Sequence, residues 1–305
     1  MPVDSKKALF ILNPAAGVRK ARDLESQIRS GLDLSRFTYE IKVTSKQGDA
    51  LQMTREAVAG GFHLVVAVGG DGTINEVAQG IEGSNSVLGI IPNGSGNGLA
   101  RHLEIPLNIA DALEVINNNH VITIDTASLN NYNFVSIAGV GFDARIANQY
   151  RKIKRRGFYG YLSTVLQQFF RYKERSFILD IDGKTMEKKA ILISVANSNQ
   201  FGYGTVIAPD ARPDDGLLDV VVVKKFPLTE LPHVLQLLFA HRIDKSQYVE
   251  SYTGRDIRIV RDKGKWVNLD GEAVRTDALV HIQVKPASLK VLVPEDDQGK
   301  RSSGN

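Results

Sequence analysis

A glycine turn that joins an apolar run to a helical pattern constrains the fold of this chain most. The run LVVAV directly before Gly69 has no polar residue, which is typical of a strand buried on both faces. Gly69, Gly70 and Gly72 permit backbone angles that side chains forbid, and Thr73 is placed to cap the following helix. A helix that begins where a strand ends presents N–H groups that favour phosphate. A tight structural turn would not explain Asp71, so the sequence predicts a phosphate site that uses a metal ion or a proton transfer.

Strand and helix patterns alternate through about the first 125 residues. Apolar runs predict the strands and helical spacing predicts the helices, one of which Asp49 is expected to cap. The predicted elements are strand 8–12, helix 18–29, strand 39–44, helix 50–58, strand 64–68, helix 73–81 and strand 87–91. Such alternation is typical of a parallel sheet covered by helices on both faces.

Three of these strands end in conspicuous loops, at residues 13–17, 69–72 and 92–98. Ligands of such sheets bind beyond the carboxyl ends of the strands, so we expect the three loops to share one ligand. The third loop, PNGSGNG, lacks the G-x-G-x-x-G spacing of a dinucleotide site and follows the fourth strand. A Walker A loop is also absent, because the GKT at residues 183–185 has no leading glycine.

After Asp125 the pattern changes to strands at short spacing, which is typical of an antiparallel sandwich or barrel. The pair Asp182 and Gly183 between two strands predicts a hairpin. The predicted strands are residues 133–137, 177–181, 190–196, 217–223, 256–260, 266–269 and 280–284, with helical stretches at 159–172 and 231–240.

Composition excludes several classes of function. A length of 305 residues fits two domains of roughly 100–200 residues each. The absence of cysteine excludes disulfides, thiolate metal sites and cysteine nucleophiles, and it fits a cytosolic protein. No apolar run approaches the ~20 residues of a membrane span, and the N-terminus has no signal-peptide pattern. The net charge of +4 is too small to indicate nucleic acid, and the 6 histidines show no metal-ligand spacing.

Two acidic turns stand out in the second half of the chain. Asp214 and Asp215 precede a strand, in a kind of turn that is common without any function. Their oxygens also suit Mg²⁺, which binds one or two carboxylates and keeps several waters. Asp270 and Glu272 lie in a second turn, where either could accept a proton from a hydroxyl group near the glycine loops. On a single strand these two side chains would share one face.

A basic run at residues 151–156 directly precedes the amphipathic helix predicted at 159–172. Cations beside an aromatic-rich helix are typical of a membrane interface. A solvated charged run beside a helix that packs on the sandwich core would give the same pattern. Both interpretations stay open.

Taken together, these motifs resemble the diacylglycerol kinase and sphingosine kinase superfamily, and most of all its soluble bacterial lipid kinases. GGDGT alone is shared with NAD kinases and phosphofructokinases, whereas PNGSGNGLARHL and the late Asp-Gly-Glu are specific to the lipid kinases. The matching stretches follow the family's order over nearly the whole chain, at residues 13–17, 44, 48–50, 69–76, 92–103, 214–217 and 270–272.

The resemblance implies an α/β nucleotide-binding domain with a parallel sheet and an all-β, sandwich-like second domain, as in NAD kinases and diacylglycerol kinases. Residues 1–125, with a returning C-terminal strand at about 286–297, would form the ATP-binding catalytic domain. Residues 126–285 would form the lipid-binding sandwich, with the site in the cleft between the domains, and 298–305 a disordered tail.

The resemblance also implies roles for individual residues. Asp215 would hold Mg²⁺ together with the backbone carbonyls of Arg212 and Leu217. Either Asp270 or Glu272 would be the catalytic base, with Glu272 slightly favoured, and Asp71 would orient the network. The residues implied for ATP are Asn13, Pro14, Ala15, Ala16, Gly17, Thr44, Gly70, Asp71, Gly72, Thr73, Ile74, Asn75, Glu76 and Ser95.

Three departures from the family pattern matter. Val18 stands where many relatives have lysine, so phosphate neutralisation would pass to Arg19 or Lys20. Ser95 begins a stretch closer to the sphingosine kinases than to the bacterial diacylglycerol kinases, which leaves the acceptor lipid open. The adjacent acids Asp214 and Asp215 leave open which one meets the metal.

We therefore expect an ATP- and Mg²⁺-dependent lipid kinase that phosphorylates a primary hydroxyl of diacylglycerol, a sphingoid base or a related lipid. Its expected partner is the lipid, and nucleic acid is not expected to bind. We expect a cytoplasmic protein that makes peripheral contact with the inner face of the membrane. A homodimer is one option for its oligomeric state. A NAD kinase is the nearest rival. A catalytically idle lipid-binding or regulatory protein is another, although it would have no need for the intact acids.

Overall fold

The computed structural model describes residues 5–17, 21–142, 144, 172–202 and 205–295. Contacts within the chain divide it into two compact units. The first unit comprises Met1–Gly94, Ala100–Thr123 and Leu289–Asn305, and the second comprises Ser95–Leu99 and Ile124–Ser288. The predicted basic run, the helix at 159–172 except Tyr172, and the predicted C-terminal tail lie outside the described residues.

The first unit contains a parallel sheet. Its strands are β1 (Lys6–Leu12), β2 (Phe37–Val43), β3 (Leu64–Gly69) and β4 (Val87–Pro92), in the order β2-β1-β3-β4. Every residue of β3 and β4 is buried, as the unbroken apolar runs predict. The end of the last strand, β18 (Leu279–Leu292), adds to this sheet, where Val291 pairs in parallel with Leu88.

Helices α1 (Ala21–Gly31), α2 (Asp49–Ala59) and α3 (Asp71–Ile81) connect the parallel strands, as the alternating pattern predicts. Helices α4 (Gly98–His102) and α5 (Ile109–Asn118) follow β4. The largest fully buried side chains of this unit come from both layers and include Phe10, Leu24, Ile28, Phe37, Leu64, Ile74, Ile81 and Leu88. Their burial fixes the helices on the sheet.

The predicted caps of α2 and α3 are wrong. Helix α2 begins at Asp49 itself, and its N-cap is Gly48 with a φ of 89°. The Asp49 carboxylate turns back to accept hydrogen bonds from the N–H groups of Ser45 and Lys46, at 2.8 and 3.0 Å. Helix α3 begins at Asp71, so Thr73 lies within its first turn and cannot be its N-cap.

The second unit is built from two antiparallel sheets. One has the order β14-β13-β10-β7-β16-β17, and the other contains β18-β15-β8-β9, with β5 beside β18 and β6 beside β5. The strands are β5 (Val121–Leu129), β6 (Tyr132–Phe134), β7 (Ile137–Gly141), β8 (Arg175–Ile181), β9 (Lys184–Ala190), β10 (Leu192–Ala196), β11 (Gln200–Gly202), β12 (Thr205–Val206), β13 (Leu218–Val223), β14 (Val249–Gly254), β15 (Asp256–Val260), β16 (Lys265–Leu269), β17 (Glu272–Thr276) and β18. Helix α6 (Leu231–Phe239) follows β13, as predicted.

Side chains of both sheets meet in one core, which makes the unit a sandwich. This core includes Val140, Val195, Val220 and Val267 from the first of these sheets and Phe134, Phe177, Leu179, Ile257, Ile259 and Val280 from the second. The structure therefore confirms the predicted fold class, a parallel α/β unit followed by an antiparallel sandwich.

The predicted hairpin at Asp182 and Gly183 is confirmed. Strand β8 ends at Ile181 and pairs there with Lys184, so the loop has two residues. Asp182 and Gly183 have φ values of 50° and 82°, as the primed turns of two-residue hairpins require.

The prediction of one continuous strand at residues 133–137 is wrong. The structure has two strands there: β6 pairs with β5, and β7 pairs with β10 and β16. The residues between the two strands turn their N–H groups toward Asp270 instead of a neighbouring strand.

Strands β9, β14 and β17 were not predicted, because their polar, partly exposed sequences lack an apolar run.

No helix in the described part of the chain is long and apolar enough to cross a membrane.

Candidate active site

The carboxyl ends of β1, β3 and β4 lie side by side in the first unit. The register pairs Leu12 with Val68 and Gly69 with Pro92, so the three following loops begin at one edge of the sheet. Backbone bonds continue this pairing into the loops, from the amide of Asn13 to the carbonyl of Val68 at 3.0 Å and from Asn93 to Gly69 at 2.7 Å. The convergence expected from the sequence is confirmed.

Two asparagine side chains tie the loops together. Asn13 Nδ2 donates to Thr73 Oγ1 at 2.9 Å, which links the first loop to the start of α3. Asn93 Nδ2 donates to the carbonyl of Ala16 at 2.8 Å, which links the third loop to the first. Asn93 is buried and was absent from the sequence-based candidates, since nothing in its local sequence reveals a partner 77 residues away.

Glycine is required in these loops because they contact one another. Gly17 has a φ of 70°, and a Cβ atom there would lie 2.0 Å from the carbonyl oxygen of Asn93. A Cβ atom on Gly70 would lie 3.1 Å from the Cα of Gly94. The sequence suggests that the glycines admit a ligand, and the structure adds that they allow the loops to pack.

The N-terminus of α3 contributes backbone N–H groups and the Asp71 carboxylate to the candidate site. Gly70 is the N-cap in an extended conformation, with no side-chain cap, and Asp71 occupies the first turn. A carboxylate there is stabilised by the partial positive charge of the helix N-terminus. Thr73 is buried with its hydroxyl bonded to Asn13, and Ile74 belongs to the core. The nucleotide contacts implied for these residues stay predictions.

Glu76 lies on the side of α3 that faces the N-terminus of α2. Its Oε1 accepts a hydrogen bond from the amide of Gly48 at 2.8 Å, and Oε2 accepts one from Ala50 at 3.1 Å. The glutamate therefore supplies the cap that the α2 sequence lacks. Its implied role in binding ATP is untested and stays a prediction, as does that of the exposed Ser95.

In the second unit, the acidic turn before β13 distinguishes its two adjacent acids. The Asp214 carboxylate is 3.5 Å from the Arg212 guanidinium, so these two exposed side chains form an ion pair. Asp215 accepts a hydrogen bond from the amide of Leu217 at 2.9 Å through Oδ1 only. Of the two acids, Asp215 is therefore better placed to share an oxygen with a cation.

Asp125, which is almost fully buried, fixes the backbone of this turn. Its Oδ2 accepts a hydrogen bond from the amide of Gly216 at 2.7 Å, and its own amide donates to the carbonyl of Pro213 at 2.6 Å. Its Oδ1 accepts another from Ala287, at the bend of β18. The turn is thus held in shape by a residue that sequence analysis did not single out.

Asp219 adds negative charge beside the turn. Burial, followed by the charges of Asp215 and Asp210, raises the pKa of Asp219 to about 6. In the described residues, no group of three acidic, histidine or cysteine side chains is arranged to hold a metal ion. One carboxylate, backbone carbonyls and water form a donor set that fits Mg²⁺, and a cation would offset the repulsion felt by Asp219.

Asp270 and Glu272 occupy different structural settings. Asp270 lies in the two-residue turn between β16 and β17 with a φ of 48°, and its carboxylate accepts hydrogen bonds from Val135, Ser136 and Ile137 at 2.9, 2.9 and 2.8 Å. Glu272 is the exposed first residue of β17. The expectation that both side chains extend from one strand is therefore wrong. Three donors already engage Asp270, which suits a positioning role.

Comparison with known proteins gives matches over both units. Two family models match, "Diacylglycerol kinase catalytic domain" at residues 7–129 and "YegS C-terminal NAD kinase beta sandwich-like domain" at residues 136–293. A diacylglycerol kinase of Staphylococcus aureus (strain MRSA252) is 30% identical over 274 residues, which cover 88% of this chain and 86% of the relative. Another, from Staphylococcus saprophyticus, is 27% identical over 271 residues, covering 88% and 89%.

Solved structures agree with these matches. A candidate diacylglycerol kinase from Bacillus anthracis str. Sterne has a TM-score of 0.77 at 25% identity, covering 96% of this chain and 98% of that one. A second structure from the same strain has a TM-score of 0.76 at 27% identity, with the same coverage. The resemblance inferred from the motifs is confirmed.

Replacing Gly17 tests whether loop-to-loop packing requires glycine. We expect Gly17→Ala to lower the free energy of unfolding by about 2–4 kcal/mol, from left-handed strain and overpacking against Asn93. Gly61→Ala is the matched control, because Gly61 has a φ of 72° but no atom within 4 Å of the added Cβ. Urea unfolding of both variants would show a larger loss for Gly17→Ala; equal losses would contradict the packing argument.

Replacing Asp219 tests the crowding of charge beside the turn. Since its folded-state pKa of about 6 exceeds the ordinary 3.8, Asp219 favours folding below pH 4, and this contribution is lost as the pH rises through 6. In the presence of a chelator, Asp219→Asn should raise the free energy of unfolding by about 1–2 kcal/mol at pH 8, allowing for solvent screening. The gain should vanish near pH 4. A gain independent of pH would exclude charge repulsion as its cause.

Proposed function

We propose that this chain, which belongs to the diacylglycerol kinase family and is a lipid kinase, transfers the terminal phosphoryl group of ATP to a lipid hydroxyl. The acceptor class is diacylglycerol, a sphingoid base or a related long-chain lipid with a primary hydroxyl. The family relatives are named diacylglycerol kinases, which favours the first of these.

The observation that carries the proposal is the shared edge of the three glycine loops. Phosphoryl transfer requires mainly that the phosphates be positioned and their charge neutralised. The three loops present backbone groups and the N-terminus of α3 at one place, where the side chains of Asn13 and of the buried Asn93 tie them together. A preorganised set of donors of this kind suits a triphosphate.

Asp215, with the backbone carbonyls of Arg212 and Leu217, would hold Mg²⁺. When bound, the ion would neutralise charge on the transferred phosphates. Asp125 keeps the turn in the shape that brings these groups together, through its bond to the amide of Gly216. Asp71, in the first turn of α3, would help to orient the groups that bind the phosphates of ATP.

Glu272 would accept the proton of the attacking hydroxyl. It is exposed at the start of β17, whereas the neighbouring Asp270 already receives three backbone hydrogen bonds. The acceptor lipid resides in a bilayer, so the enzyme would act at the inner membrane face through a peripheral contact. The segment proposed for that contact, residues 151–172, lies outside the described residues apart from Tyr172.

Transfer of labelled phosphate tests the proposed reaction. The protein is incubated with γ-labelled ATP, Mg²⁺ and dispersed diacylglycerol, sphingosine, ceramide or NAD, and the products are separated by chromatography. We expect label in at least one lipid and none in NAD. Label in NAD alone would support the rival nucleotide kinase, and label in no acceptor would contradict the proposed function.

The two adjacent acids give a matched pair of variants for the metal. Asp215→Ala should raise the Mg²⁺ concentration needed for half-maximal activity tenfold or more, because a hard cation depends on few oxygen ligands. Asp214→Ala removes only the partner of Arg212 and should leave the Mg²⁺ titration within about twofold, as an exposed ion pair contributes little. The reverse ranking would mean that Asp214 holds the metal.

Glu272 and Asp270 should differ in what their neutralisation changes. Glu272→Gln should lower kcat by about 10²–10⁴-fold, the usual contribution of a general base. Asp270→Asn should also lower the free energy of unfolding, by about 1–3 kcal/mol, because it disturbs three backbone hydrogen bonds. Urea unfolding and single-turnover rates separate the two effects. Full activity of Glu272→Gln would exclude Glu272 as the base.

A further inference from the structure

A cavity of about 270 Å³ lies within the second unit. It is placed where β7 ends and where β8 and β16 begin. Among the described residues that line it are three cations, Arg175, Arg261 and Lys265, and two aromatic side chains, Tyr172 and Trp266. Asp262 is the one acidic residue of that lining, so the cavity carries an excess of positive charge.

Arg261 is a buried cation with no acidic partner in the described part of the chain. Arg261 as a whole residue is only 7% exposed to solvent. Its guanidinium donates to the carbonyl of Trp266 at 3.3 Å, to the Thr276 hydroxyl at 2.7 Å and to the carbonyl of Asp277. Nε is buried and has no hydrogen-bond partner, and among the described residues no carboxylate forms an ion pair with Arg261. A buried charge left in this state is destabilising.

The surroundings increase this imbalance. Burial, more than the charge of Arg175, lowers the pKa of Arg261. Arg175 lies with its guanidinium carbon 5.5 Å from the centre of the Tyr172 ring, which restrains a second cation near the first. Elsewhere in this unit Glu250 binds both Lys188 and Lys224 at 2.5 Å. Among the described residues, the buried Arg261 has no such carboxylate.

We propose that this cavity is an anion site that binds a phosphate group. Arginine presents planar, directional donors that match phosphate oxygens, and an anion would satisfy the buried Nε of Arg261 and offset the charges of Arg175 and Lys265. Inorganic phosphate, a small phosphate ester and a phospholipid head group share this chemistry. The aromatic rings of Tyr172 and Trp266 give such a ligand an apolar wall beside its charged end.

The proposed anion site differs from the candidate active site. Lys265 begins β16, and the other residues of that strand, Trp266–Leu269, separate it from Asp270. At about 3.3 Å per residue the distance along the strand is roughly 16 Å. The anion would therefore bind away from the proposed base, so the site is not the position of the transferred phosphoryl group.

Trp266 is the only tryptophan among the 305 residues and lines the cavity, so its fluorescence reports on the site directly. The whole chain is titrated, without ATP, with inorganic phosphate, glycerol 3-phosphate or phosphatidylglycerol vesicles, at constant ionic strength maintained with chloride. We expect a saturable change in Trp266 emission with at least one of them. Lys265→Gln and Arg175→Gln should each raise the apparent Kd at least fivefold, and Lys263→Gln, which removes an exposed neighbouring cation outside the lining, should not.

Each outcome bears on the proposal. Saturation by soluble phosphates identifies free phosphate or its esters as the source, and saturation by vesicles alone identifies a lipid head group; both support an anion site. Arg261→Gln should abolish the response, and circular dichroism checks that this variant is folded. Absence of any response, or a response that Lys265→Gln and Arg175→Gln leave unchanged, would overturn the proposal.

Discussion

The parallel register of β1, β3 and β4 is the constraint on which the first unit depends. Because Leu12 lies beside Val68 and Gly69 beside Pro92, three loops distant in sequence start at one edge. Backbone bonds extend that register by one residue, and the side chains of Asn13 and Asn93 then join the loops to one another. The loops of the candidate site thus follow strands whose carboxyl-terminal residues are all buried, which gives the loops a rigid support.

Carboxylates that accept backbone N–H groups recur wherever this chain shapes a turn. Glu76 caps α2, Asp125 holds the acidic turn before β13, and Asp270 holds the connection between β6 and β7. Each bond joins segments far apart in sequence, and each charge is stabilised by donors that would otherwise lack partners. Such carboxylates shape the backbone of the candidate site, and the metal role proposed for Asp215 and the proton transfer proposed for Glu272 are separate from that role.

Local patterns predicted the buried parts of the fold well. The LVVAV run, the alternation of strands and helices and the Asp182 hairpin all depend on neighbouring residues, and the structure confirms them. The caps of α2 and α3 were wrong, because Glu76 and Asn13 supply polar contacts from elsewhere in the fold. The burial of Arg261 could not be predicted either, since only the packing of the strands around it shows that its guanidinium bonds to backbone carbonyls and a hydroxyl and that no described carboxylate forms an ion pair with it.

The central claim is that the three glycine loops that follow β1, β3 and β4 bind the nucleotide phosphates. Hydrogen–deuterium exchange of the whole chain, with and without ATP and Mg²⁺, tests it at the level of individual loops. We expect slower exchange of backbone amides in residues 13–17, 69–73 and 93–98 when ATP is present, with β14 unchanged as an internal reference. The claim would be contradicted if saturating ATP left the backbone amides of all three loops unprotected, or protected only segments outside these loops.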